Sequence, residues 1–118
     1  MAISFLLLFL VSLVLAAVGV LGLLGRLPPG SWIGIRLPYT LSSEERWYQA
    51  HRGAGPTLVF GGVAVAAINL AFLPFGIMGE ISGTLGLIVT IASVTILIFI
   101  ILQAALSGVR YAQGREEQ

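Results

Sequence analysis

Arg36, Glu44, Glu45, Trp47, His51 and Arg52 are the side chains through which this chain could do chemistry. They sit in its one sustained polar segment, residues 26–56. That segment holds four of the six Arg, the only His, both Trp and two of the three Tyr. An imidazole flanked by carboxylates could in principle hold a metal or move a proton. The rest of the composition argues against both. The chain has no Cys, no Lys and no Asp. Thiolate nucleophiles, Schiff bases and the usual phosphate-binding loop are therefore excluded. One His beside Glu44 and Glu45 matches no known metal-ligand spacing. A nucleophile, base and orienting group cannot be assembled either. The expectation is a protein that is not an enzyme, with no metal and no cofactor. His51 then reads as a structural histidine stacked near Trp47, with pH sensing as the alternative.

The spacing within the segment predicts how these residues are held. Ser42 and Glu45 fit a capping box, and Gly53 fits a helix C-cap. Between them Trp47, Ala50, His51 and Ala54 share one helical face, while Glu45, Gln49 and Arg52 share the other. This predicts a short amphipathic helix over about 43–52, lying at the membrane interface or offering a recognition surface. Arg36 stands between the apolar runs Trp32-Ile33-Gly34-Ile35 and Leu37-Pro38. Gly34 permits close backbone approach, and Pro28, Pro29 and Pro38 rule out a continuous helix. Arg36 is expected to anchor a tightly folded or re-entrant loop, with Glu44 or Glu45 as its partner. A snorkelling interfacial Arg is the alternative.

Gly34-Ile35-Arg36, then Pro38 and Thr40, then Ser43-Glu44-Glu45, Trp47, His51, Arg52 and Gly55, together resemble the signature of the SdpI family. These are small bacterial integral-membrane proteins, named for a member implicated in immunity to a secreted toxic peptide and in signalling. The resemblance implies an all-helical membrane fold and a binding or structural role for this loop. The signature departs from the family at one place. Gly30 stands where an Asn is expected, so no role of that side chain carries over.

The elements that must position the segment are membrane spans. Hydrophobic residues make up 58% of the chain and charged residues 9%. Soluble domains run near a quarter charged. Residues 2–25 carry no charge and suffice to cross a bilayer. They read as a retained helix, because no basic region or clear cleavage site marks a signal peptide. A second span is predicted over about 57–77, with Pro56 at its first turn. A third is predicted over about 81–109, long enough to tilt or to emerge into water. A tail follows at 110–118. The fold class is therefore an all-α membrane protein, one domain of three transmembrane helices, with the amphipathic helix in the loop between the first two. Arg26, Arg36, Arg46, Arg52, Arg110 and Arg115 all fall on one side of such a topology. This places the N-terminus outside, and the loop and C-terminus in the cytoplasm of a bacterial plasma membrane.

Small residues supply the helix contacts. Gly83, Gly86, Thr90, Ser93, Leu97, Ile100, Ala104 and Ser107 recur at steps of three and four along the third span, which predicts a packing seam. Ser12, Ala16 and Gly19 in the first span, and Gly62 and Ala66 in the second, are their expected counterparts. Asn69 is the strongly polar group of the second span and is expected to bond a neighbouring helix. Partners are then the lipid bilayer and a protein or peptide in the membrane, with a homo-oligomer left open. A net charge of +1 gives no reason to expect nucleic acid. Two functions fit. One is a sensor or immunity protein of SdpI type that binds a toxic peptide or protein. The other is a non-catalytic accessory subunit of a larger membrane complex.

Overall fold

The computed structural model of the chain describes residues 2–29, 35 and 37–116. The uncharged N-terminal run forms α1, Ala2–Leu24. Gly25 ends it in the left-handed region (φ 67°), which a Cβ would disfavour. Its N–H donates to the Gly22 carbonyl at 3.3 Å, and the Arg26 N–H reaches the Leu21 carbonyl at 2.9 Å. These two bonds close the helix in the Schellman manner. A single turn, α2 (Pro38–Leu41), follows with Pro38 at its start. Then come α3 (Glu44–Met78) and α4 (Gly83–Glu116). Gly79 (φ 72°) closes α3, and the Ser82 hydroxyl accepts the Leu85 N–H at 3.0 Å to open α4.

Three helices are long and apolar enough to cross a membrane. With 35 residues, α3 is about 52 Å long at 1.5 Å per residue, against a hydrocarbon core of about 30 Å. The molecule measures 55 × 20 × 19 Å, so both α3 and α4 run nearly its full length.

Three predicted boundaries are corrected here. The amphipathic stretch 43–52 is not a separate interfacial helix. It is the first turns of α3, which continues through Gly53 and carries Pro56 inside it. Gly53, read as a C-cap, serves close packing instead, and so does Gly55. A Cβ on Gly53 would collide with Tyr111 of α4, and one on Gly55 with Leu23 of α1. The cap also shifts by one residue. Ser43, not Ser42, accepts the Arg46 N–H at 3.1 Å, so no reciprocal Ser42–Glu45 box forms. The tail is helical as well, because α4 runs on to Glu116.

In the bundle α3 is central. It packs along α1 on one side and α4 on another, while α1 and α4 scarcely meet. Phe5, Leu8, Ser12, Ala16, Gly19 and Gly22 form the buried stripe of α1, at steps of three and four. Contact is at backbone distance: a Cβ on Gly62 would lie 2.6 Å from the Ser12 carbonyl oxygen. Between helices in lipid there is no hydrophobic drive, so such close van der Waals contact must supply much of the association.

On α4 the buried positions are Gly86, Ser93, Leu97, Ile100, Ala104, Gly108 and Ala112. The predicted seam is corrected at Gly83, Thr90 and Ser107. Gly83 is exposed with nothing near it, Thr90 is half-buried and bonds its own helix at the Gly86 carbonyl (2.8 Å), and Ser107 yields to Gly108. A straight helix drifts about 20° per heptad, so a strict heptad reading slips off the contact face. The outward faces remain apolar; Phe60 is 76% and Leu102 63% exposed, as suits contact with hydrocarbon.

Candidate functional site

At the head of α3, Trp47 and His51 stand one turn apart, both fully buried. Their rings are 4.3 Å apart between centroids. Each ties a different part of the preceding loop to the helix. The Trp47 indole Nε1–H donates to the Leu27 carbonyl at 2.9 Å. The His51 Nε2 accepts the Ile35 N–H at 2.7 Å. Because Nε2 must be an acceptor there, the ring proton sits on Nδ1, which donates to the Trp47 carbonyl at 2.8 Å. Both ring nitrogens are thus committed to main chain, and neither has a lone pair to give a metal. A protonated ring would set an N–H against the Ile35 N–H, so the clasp needs neutral imidazole.

Thr40, buried in α2, completes the clasp. Its hydroxyl accepts the Leu37 N–H at 3.0 Å and has the Ile35 carbonyl within 2.7 Å as an acceptor. Irregular backbone at a membrane surface must have its polar groups satisfied. Here three side chains satisfy those of Leu27, Ile35 and Leu37. A cleft of about 360 Å³ opens beside them, lined by Pro29, Thr40, Leu41, Ser43, Glu44 and Trp47.

The other predicted residues fall around this core. Pro38 starts α2. Glu44 and Glu45 are exposed in the first turn of α3, where negative charge suits the helix dipole. Arg46 bridges back to α2, its Nη1 donating to the Ser42 hydroxyl at 2.9 Å and its guanidinium lying 4.8 Å above the Tyr39 ring. Arg52 is exposed beside Gly25 at the end of α1. Gly30, Gly34 and Arg36 lie outside the described residues, and so does the expected pairing of Arg36 with Glu44 or Glu45.

Deeper in the bundle, the Asn69 Nδ2 donates to the Val65 carbonyl (3.0 Å) and across to the Ser93 hydroxyl of α4 (3.2 Å). Its Oδ1 is buried with no partner. Removing the amide therefore removes an unsatisfied acceptor along with the bond. Asn69→Leu is expected to change stability in detergent by no more than about 1 kcal/mol, since bonds of this kind average about 0.6 kcal/mol. A thermal unfolding series in one detergent checks this, and a larger loss would make Asn69 a principal fastener of α3 to α4.

Reading the sequence missed Leu27 and Ile35, which act through main-chain atoms, and Gly22 and Gly108, which let His51 and Ala50 approach. A Cβ on Gly22 would lie 2.6 Å from the His51 carbonyl oxygen. The spacing Gly19, Gly22 was the available signal. Residues 26–108, from the foot of α1 through the clasp and α3 into α4, match the model of the SdpI/YfhL protein family. The chain belongs to that family. The match takes in every element of the clasp and leaves α1 outside it. The SdpI/YfhL region is thus the loop together with the two helices that carry it. No curated protein and no solved structure matches the chain.

Proposed function

We propose that this chain is a non-catalytic membrane sensor or immunity protein of SdpI type, which recognises a toxic peptide or protein partner at the bilayer. The carrying observation is the clasp. Trp47, His51 and Thr40 fasten the main chain of Leu27, Ile35 and Leu37 at the end of the bundle. Their hydrogen-bonding groups go to main chain, an arrangement suited to presenting a surface rather than to turning over a substrate. The test is protection. Bacteria that lack their own immunity protein and express this chain should survive a secreted toxic peptide that kills control cells. A Trp47→Ala/His51→Ala variant that still accumulates in the membrane should lose protection. Absence of protection by the unaltered chain would overturn the reading. A stoichiometric membrane complex recovered in mild detergent would then favour the accessory-subunit alternative.

The orientation belongs to the same proposal, with the N-terminus outside and the loop and C-terminus in the bacterial cytoplasm. Support comes from the arginines. Among the described residues, Arg26, Arg46, Arg52, Arg110 and Arg115 gather at the end where α1 stops and α3 begins, while Glu80 is the charged side chain at the other end. Such segregation matches the positive-inside rule. A reporter fused after Gln118 is expected to be active in its cytoplasmic form alone; activity of a periplasmic reporter at that position would reverse the topology.

A further inference from the structure

The outward edge between α1 and α3 carries two arginines that the clasp does not use. Arg52 is exposed, and its guanidinium lies against the end of α1: a Cβ on Gly25 would be 3.4 Å from its Nη2. Arg26, the next residue after Gly25, is exposed beside it. Among the described residues no carboxylate pairs with either. Below Arg52 on the same helical face are Pro56, Phe60 and Val63, all exposed. Phe60 and Val63 are 76% and 53% open. Leu23 of α1, 40% exposed, borders that face where it packs on Gly55. Arg52 thus stands above an apolar strip, with Arg26 exposed one residue past the neighbouring end of α1, at the level where the charged loop gives way to the uncharged span.

We propose that Arg26 and Arg52 form a headgroup site for an anionic phospholipid. Guanidinium forks match phosphate oxygens in geometry and charge. The acyl chains would run down the Pro56–Phe60–Val63 face. A soluble anion would use the charge but not the apolar strip, and a zwitterionic lipid the strip but not the net charge.

The experiment uses the full chain in a neutral detergent, with phosphatidylglycerol, phosphatidylcholine or inorganic phosphate added. Native mass spectrometry counts bound lipid, and thermal unfolding reports stabilisation. Phosphatidylglycerol should bind and raise the unfolding midpoint more than phosphatidylcholine. Arg26→Gln/Arg52→Gln should bind it about 30-fold more weakly, at about fivefold for each arginine near an anionic surface. Arg115→Gln should retain the preference. Equal binding of the two lipids by the unaltered chain overturns the proposal, whether or not the variant folds. So does a variant equally destabilised with both lipids, which would leave Arg52 a helix cap alone. Stabilisation by inorganic phosphate equal to that by phosphatidylglycerol would assign the site to a free anion and overturn the lipid.

Discussion

Gly62→Leu should prevent the chain from accumulating in the membrane, whereas Gly114→Ala should leave it unchanged or slightly more stable. The difference lies in what a side chain would meet. At Gly62 a Cβ would stand 2.6 Å from the Ser12 carbonyl oxygen and 2.8 Å from the Ala16 nitrogen. Both are backbone atoms of α1 and cannot rotate away. Relief requires α1 and α3 to move apart, which loosens contacts along the whole interface. Overpacking a buried site typically costs about 1–3 kcal/mol even where side chains can give way. Gly62→Ala should therefore lower the unfolding midpoint measurably, and the three further carbons of Leu should end the packing. Gly114 has nothing within 4 Å, and Ala in an exposed helix position gains about 0.5–1 kcal/mol over Gly. Membrane accumulation and thermal aggregation in detergent read both variants. If Gly62→Leu accumulates and melts like the unaltered chain, α1 does not pack on α3 at this point.

What could be read from residue types was the apolar spans and the face of α3 that carries Trp47 and His51. Both depend on repeating side-chain patterns, and a pattern of three and four steps survives in any helical context. What could not be read depended on neighbours. Gly53 and Pro56 look like punctuation because Gly and Pro are poor helix formers. Tertiary contact overrode that preference at Gly53: Tyr111 occupies the space that a Cβ would need, as Leu23 does at Gly55. The seam of α4 was legible at Gly86, Ser93, Leu97, Ile100 and Ala104. It was lost at Gly83, Thr90 and Ser107, where the heptad drifts off the face that α3 covers. The partners of Trp47 and His51 were invisible for a different reason. They are a carbonyl and an N–H, which every residue has, so no residue type marks them.

Trp47→Phe and His51→Phe are each expected to loosen the loop while leaving the span below it intact. Phe keeps the ring and its packing but removes the donor or acceptor. Trp47→Phe leaves the buried Leu27 carbonyl without its 2.9 Å bond, and His51→Phe leaves the half-buried Ile35 N–H without its 2.7 Å bond. An unsatisfied buried polar group costs about 1–3 kcal/mol. Since each bond fastens a different end of the loop, local opening should become easier by that amount. Hydrogen exchange at Ile35 and through α2 should then quicken by roughly 5- to 150-fold, the rate equivalent of 1–3 kcal/mol. Exchange between Leu58 and Asn69 should stay as it was, because those residues lie in the membrane-spanning part of α3. The two variants share the loop they hold, so their effects should not add: once one end is free, releasing the other gains less. His51→Gln should be milder than His51→Phe, because its amide oxygen can still accept the Ile35 N–H. Unchanged exchange at Ile35 in His51→Phe would show that α2 and Thr40 hold Ile35 alone, and the clasp would no longer account for how it is fastened.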